Sequence, residues 1–283
     1  MSLKFIDFFS YRNYGFLFSL FVTIATIIGY FVCGLNLGID FQGGTMMELT
    51  SKHPMKIKNL LSTKFHNTFI QQSDERLVLK FSDRVINDVS IIDQIKSDIL
   101  QIDQEANILK IDFVGPKVSK DLINKAFFAF FWALFIIMLY LLLRFNWRFS
   151  ISAIISLIHD LIASLGFFVL TRYEFNLTSI AAILTIIGYS VNDSVVIYDR
   201  VRENLSICSK YYLDSEIINL SINGTLSRTI MTFLTTFVTC IALWFFGGES
   251  LQSFSAVITF GVAFGTYSSI FIAANILPLM TKK

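Results

Sequence analysis

Charged side chains are scarce in this chain. Only 16% of its 283 residues are Asp, Glu, Lys or Arg, against 54% hydrophobic. Proline is nearly missing, with 3 residues beside 30 phenylalanines. Together these figures exclude an ordinary soluble enzyme and point to a chain that crosses a membrane several times. Excess charge of one sign is also lacking: the net charge of +2 is too weak to indicate a nucleic-acid partner. The 3 cysteines, Cys33, Cys208 and Cys240, are odd in number and show no metal-ligand spacing. They read as small apolar fillers. No constellation suited to catalysis is found, so the chain is not expected to be an enzyme.

What is there is a series of long apolar runs. The first, Gly15–Leu35, follows Lys4 and Arg12 and resembles a signal sequence. It exceeds the usual apolar core of about 7–15 residues and has no clean cleavage site after it, so it is read as an uncleaved first span. Hydropathy places six spans, near 15–35, 126–143, 149–171, 177–198, 228–247 and 254–279. Lys4, Arg12, Arg144, Arg148, Arg200, Arg202, Lys210, Lys282 and Lys283 fall at one side of these spans, whereas the opposite short loops carry only Arg172. The positive-inside rule then puts both termini and a 199–227 loop in the cytoplasm. The long polar stretch 38–125 lies outside, in the periplasm.

That stretch predicts a small α/β domain. Strands are expected at Met46–Thr50, Asn67–Gln71, Leu77–Phe81 and Ile108–Val114, with a turn at Ser73–Asp74. Helices are expected at Met55–Phe65 and Val89–Ile102, the second with Ile91, Ile92, Ile95, Ile99 and Ile102 on one stripe. The order βαββαβ indicates a ferredoxin-like sandwich. It holds no His/Cys/carboxylate cluster and no nucleophile elbow, so a binding or structural module is expected.

Asp193 is the chemically telling residue. It lies in an otherwise uncharged apolar run, Leu177–Tyr198. A carboxylate at such depth is costly and marks an ion or proton path by default. At about 100° per residue, Thr178, Ala181, Ala182, Thr185, Tyr189, Asn192 and Asp193 form one sector, to face protein or water. Ile180, Ile183, Leu184, Ile187, Val191 and Val195 form the other, to face lipid or packing. Asn192 reads as a hydrogen-bond partner of its neighbour. In the fifth span Arg228, Thr232, Thr235 and Thr239 share one face, flanked by Thr229 and Thr236. The threonines could simply bond their own helix backbone; the arginine argues for more. With a rise of ~1.5 Å per residue, Asp193 and Arg228 lie roughly 24 and 28 Å from the far ends of their antiparallel spans. A direct or water-bridged pair is therefore geometrically open. Pairing favours the ionised carboxyl and dehydration the neutral one, so a site between the two can take up and release a proton. Asp160, beside His159 in the third span, reads either as a local polar contact or as a second relay station. Gly261, Gly265, Ser269 and Ala273 repeat every fourth position of the last span and predict close helix packing.

Four stretches carry a family resemblance: GIDFQGGT at 38–45, DFVGPKVS at 112–119, TIIGYSVNDSVVIYDRVRENL at 185–205, and LSRTIMTFLTT at 226–236 followed by FGG and FGTYSSIFIA. In this order and spacing they resemble the SecF branch of the SecD/SecF family, within the resistance–nodulation–division superfamily. The resemblance implies six transmembrane helices with one external domain after the first. It implies a SecD partner supplying a homologous half, and work beside SecYEG after SecA-driven passage, with YajC and YidC as further associates. The translocating unfolded polypeptide would be the cargo, protons the coupling ion, and no cofactor is implied. Asp193 matches the family's membrane acid and Arg228 its SRT arginine; Asn192, Thr232 and Thr235 are read from their helix faces as supporting polar groups. Gln42 departs from the Thr or Ser common in the glycine motif, a mild change in a loop.

The glycine motif is not a phosphate loop, since it lacks the Lys-Ser/Thr ending. Gly38, Asp40, Gly43 and Gly44 read instead as a hinge motif whose glycines permit an unusual backbone. Half of a small-molecule exporter of the same superfamily is the alternative reading, disfavoured because such exporters carry larger external domains and twelve spans. A passive scaffold has no need of Asp193.

Overall fold

The computed structural model describes residues 5–64, 68–73, 76–81, 89–207 and 215–280. Lys4, Phe65, Asn67, Asp74, Cys208, Lys210, Lys282 and Lys283, all used in the reading above, lie outside the described residues, as does the side chain of Ile91. Contacts divide the chain into two units: residues Met1–Asn36 with Phe128–Lys283, and Leu37–Phe127.

The smaller unit is built on four strands, β1 (Gly44–Thr50), β2 (Thr68–Ser73), β3 (Arg76–Phe81) and β4 (Asn107–Val114). They form one antiparallel sheet in the order β2-β3-β1-β4. With helices at Pro54–Lys64 and Val89–Ile102 inserted after β1 and β3, this is the ferredoxin-like arrangement expected from the sequence. The two-residue strand period explains the core. Met47, Leu49, Leu77, Leu79 and Phe81 all turn to one face, and Met47 and Leu49 sit opposite Leu79 and Leu77 in the ladder. The helices meet that face with residues one turn apart, Ile57 with Leu61 and Ile95 with Ile99. Each such buried side chain contributes about 1.5–3 kcal/mol. Asp103 stabilises the turn before β4. Its carboxylate accepts hydrogen bonds from Ser51 Oγ at 2.6 Å, the Lys52 amide at 2.8 Å and the Glu105 amide at 3.1 Å. The Ser51 hydroxyl, helped by those amides, holds its carboxyl below the ordinary carboxylate value.

A short helix, Ile39–Gln42, was not expected from the sequence. It fills the space between the glycines. Gly43 follows it at φ 75 and ψ 167, and Gly44 opens β1 at φ 126. Both conformations favour glycine. Gly38 differs from expectation: at φ −75 and ψ 171 it is ordinary extended backbone. Its carbonyl serves instead, accepting the amides of Phe41 and Gln42. The two family stretches that lie far apart in sequence are neighbours here. Gly44 pairs with Val114 across β1 and β4, and Ser119 Oγ lies 3.5 Å from the Ile39 carbonyl.

Six helices are long and apolar enough to cross a membrane: Arg12–Cys33, Pro116–Arg144, Trp147–Thr171, Leu177–Ile207, Ser215–Phe246 and Leu251–Met280. Taken with the three short or soluble helices already given, Arg12–Cys33 is α1, Ile39–Gln42 α2, Pro54–Lys64 α3, Val89–Ile102 α4, Pro116–Arg144 α5, Trp147–Thr171 α6, Leu177–Ile207 α7, Ser215–Phe246 α8 and Glu249–Ser268 α9. The second span differs in extent from its expected start near 126. Pro116 occupies the first helical position, where its fixed φ suits a helix start, and α5 runs unbroken from there. The expected 199–227 loop is largely helical as well. The α7 extension is held by Val201 and Asn204, and the α8 extension by Ile217, Ile218, Ser221 and Ile222, all buried. An Asn204 Nδ2 to Ser221 Oγ bond of 2.9 Å joins the two extensions.

Burial separates the spans into two classes. Within their apolar windows, α6, α7 and Leu251–Met280 bury 56%, 50% and 67%, whereas α1, α5 and α8 bury 0%, 6% and 6%. The first three therefore form the inner bundle. The last span is interrupted: after α9 a π-helical segment runs over Ser269–Ala273, and a 3-10 turn covers Leu277–Met280. At the other end of the bundle, Arg172 ends α6 in the left-handed region. Its guanidinium donates to the Cys33 and Gly34 carbonyls at 2.7 and 2.8 Å, closing the open end of α1.

Candidate functional site

Asp193 is carried on the buried side of α7 and is only 3% exposed. Its Oδ2 is buried and, among the described residues, has no hydrogen-bond partner. The polar groups whose influence reaches it are the Thr229 hydroxyl and the Arg228 guanidinium of α8, with Tyr189 one turn away on its own helix. Thr229 Oγ1 is itself buried and, among the described residues, unpartnered. Two facing helices thus hold two polar atoms near one another, without the geometry of a hydrogen bond. Such atoms are costly to bury and mark a place where a proton, a water or a moving side chain completes the contact.

Arg228 is brought to this site but forms no ion pair with Asp193 among the described residues. It is exposed in the isolated chain, whereas the aspartate is buried. Asn192 is not an Asp193 partner. Adjacent helical positions diverge by about 100°, and Asn192 is exposed. Thr232 donates to the Arg228 and Thr229 carbonyls, each at 3.0 Å, and Thr235 to those of Met231 and Thr232 at 2.9 and 3.1 Å. Thr239 does the same to the Thr235 carbonyl. Backbone bonding accounts for these hydroxyls, and the threonine that meets the acid is Thr229. Of the sector expected to face lipid or packing, Ile180, Ile183 and Ile187 are fully packed.

A second polar centre lies around Asp160 of α6, which is 1% exposed. Its Oδ2 accepts Ser190 Oγ of α7 at 2.6 Å and Ser268 Oγ of α9 at 2.8 Å. Its Oδ1 lies 3.4 Å from His159 Nδ1. The hydroxyls continue into the π-helical segment. Ser269 Oγ lies 3.0 Å from Ser194 Oγ and donates to the Ser190 carbonyl at 3.3 Å. Ser190 and Ser268 were not singled out by sequence; a serine in an apolar span is too common to signal a site by itself. The small-residue stripe could have found them, because it brings α7 and α9 together. A Cβ at Gly261 would fall 2.2 Å from Ile186 Cδ1, and one at Gly265 would fall 3.3 Å from Ser190 Cβ. Tyr189 Oη adds a 3.3 Å contact to Thr266 of α9. Among the described residues no group of three or more His, Cys, Asp or Glu side chains is placed to hold a metal. The arrangement sets two buried carboxyl groups, Asp160 and Asp193, among hydroxyls of neighbouring helices.

Comparison with known proteins covers the whole of this site. The family described as protein export membrane protein SecD/SecF, C-terminal, matches residues 94–283. The SecD/SecF GG motif matches residues 31–55. The chain is 41% identical over 288 residues to protein translocase subunit SecF of Rickettsia bellii, covering 98% of this chain and 94% of that protein. It is 41% identical over 285 residues to the subunit of the same name from Rickettsia prowazekii, covering 98% and 91%. Among solved structures, SecDF of Thermus thermophilus, described as a translocon-associated membrane protein, superposes with a TM-score of 0.89 at 32% identity. It covers 97% of this chain, which spans 38% of the SecDF chain. SecDF in a super-membrane-facing form gives 0.71 at 30% identity over the same shares.

Proposed function

The chain belongs to the SecD/SecF family of protein export membrane proteins, and from that premise we propose that it is a proton-driven subunit of the protein-export machinery, working with a SecD-type partner. The observation that carries this reading is the buried carboxyl oxygen of Asp193, unpartnered among the described residues, in a helix otherwise apolar enough to span a membrane. When Asp193 is ionised it attracts Arg228 across the α7–α8 contact; when it is neutral that attraction is gone. Cycling between these states moves α8 against α7, and the movement is passed to the external domain, which pulls or holds the emerging unfolded chain. This is transport work and not catalysis of a covalent step.

The partner follows from what the single chain leaves uncovered. Asn192 on α7 and Arg228 on α8 are exposed in the isolated chain, and among the described residues neither is satisfied by its own helix backbone as the threonines of these faces are. Exposed polar groups at membrane depth call for a protein or water cover. The solved SecDF chains are more than twice as long as this one, which spans 38% of them. A homologous SecD-type half seated on the α7–α8 seam supplies that cover. The Lys and Arg distribution supports both termini cytoplasmic and residues 38–125 periplasmic, and a multi-pass helical chain of this orientation belongs in the inner membrane. Assistance to SecYEG after SecA-driven passage is the remaining part of the proposal, with YajC and YidC as further associates.

The test uses membrane vesicles containing this chain and its SecD-type partner. Asp193→Asn should assemble at the normal level and lose at least tenfold of the proton-gradient stimulation of export. Normal stimulation in that variant would overturn the reading.

A further inference from the structure

Among the described residues Asp160 is held by more hydroxyl donors than the other buried carboxyl in the spans, Asp193, yet the proton cycle at Asp193 does not use it. We infer that Asp160 is a positioning residue: it latches α7 to the π-helical segment of the last span and so fixes where Asp193 sits. The inference rests on the proton-driven reading given above.

The geometry is specific. One oxygen, Oδ2, collects Ser190 of α7 and Ser268 of α9 at 2.6 and 2.8 Å. Three helices are therefore tied at one atom. Ser190 is three residues from Asp193, a same-face neighbour on α7. Ser268 is the residue immediately before the π-helical segment Ser269–Ala273. A π-helical turn carries one residue more than an α-helical turn, and such turns are frequent at functional sites. Three of its carbonyls take side-chain donors. Asn275 Nδ2 donates to those of Ile270 and Phe271 at 3.0 and 3.3 Å, and Ser152 Oγ of α6 donates to that of Ala273 at 2.5 Å. The segment is thus pinned by α6 at both ends and by α7 at its start, through Ser269 to Ser190 and Ser194. If the Asp160 contact is released, the π turn can shift along the helix by a residue, carrying the α7–α9 register and Asp193 with it.

The role needs an acceptor at Oδ2, not a charge. An asparagine keeps that acceptor, and an alanine removes it. The groups that bear on a pH profile here are Tyr189 on α7, Arg228 on α8, His159 and Asp160 on α6, and Tyr267 on α9. The experiment measures proton-driven export against pH in vesicles holding the chain and its SecD-type partner. The variants are Asp160→Asn, Asp160→Ala and the double variant Ser190→Ala/Ser268→Ala, with Asp193→Asn alongside. The inference expects Asp160→Asn to keep at least half of the activity with an unmoved pH midpoint. Asp160→Ala and the double serine variant should assemble, fall at least fivefold, and move the midpoint by half a unit or more. If Asp160→Asn is as inactive as Asp193→Asn, Asp160 carries protons itself and the positioning role is wrong. If Asp160→Ala loses activity with no change of midpoint, the contact is packing alone and the inference fails. An active Asp193→Asn would instead overturn the proton reading on which both rest.

Discussion

Gly261→Ala is a one-carbon change that strains the α7–α9 contact, and its effect can be worked out from the packing. The added Cβ would lie 2.2, 2.4 and 2.9 Å from Cδ1, Cγ1 and Cγ2 of Ile186. Carbon atoms settle near 3.5–4.0 Å, so the nearest contact must open by more than 1 Å (~1.3 Å at the least). Three atoms of one β-branched side chain are involved, and Ile186 is 1% exposed, so a rotamer change offers no escape. The helices must part, and overpacking of this kind costs about 1–3 kcal/mol. Gly188→Ala is the control. Its Cβ meets nothing within 4 Å, and the helix gains up to ~1 kcal/mol in propensity. The assay is thermal unfolding of the purified complex in detergent, with a double-mutant cycle. Gly261→Ala should lower the midpoint, Gly188→Ala should not, and adding Ile186→Ala to Gly261→Ala should restore part of the loss. If Gly261→Ala and Gly188→Ala behave alike, the close α7–α9 approach is refuted.

Three other outcomes follow from the same reasoning. Gly43→Ala should cost roughly 1–3 kcal/mol, because φ 75 with ψ 167 is almost confined to glycine, while Gly38→Ala should be tolerated; limited proteolysis of the full chain separates them. In the insert, Asp103 has a lowered folded value, so its stabilisation is present above the unfolded value near 3.8 and is lost as pH falls through the folded value. Asp103→Asn should flatten the acid unfolding of β1–β4 followed by hydrogen exchange; an unchanged acid limb would remove Asp103 as its cause. Arg228→Ala should assemble and lose most proton-driven activity, about tenfold or more if it supplies the α8 charge that Asp193 senses; wild-type activity would reduce the α7–α8 contact to packing.

The sequence was most legible where a period or a rare residue carried the signal. Met47 with Leu49, and Leu77 with Leu79, announce strands by alternation, and Ile95 with Ile99 announces a helix by its four-residue step. Asp193 stands out because carboxylates are rare in apolar spans. Depth arithmetic brought Arg228 to the right neighbourhood but not into contact, since rise along a helix fixes height and not rotation. The choice of Thr229 over Thr232 and Thr235 depends on that rotation. The π-helical segment left no mark in the sequence, because Ser269–Ala273 has the composition of any apolar helix and its extra residue is set by neighbours on α6 and α7. Asp160 was visible as an acid, but Ser190 and Ser268 became meaningful only when three helices were brought to one oxygen.

Proton movement itself gives the most direct test of the central claim. The chain and its SecD-type partner, reconstituted in sealed vesicles under an imposed proton gradient, should carry protons during export. Asp193→Asn should stop that flux with the complex intact, and Asp193→Glu should restore part of it. Equal proton flux in the wild type and in Asp193→Asn would contradict the account.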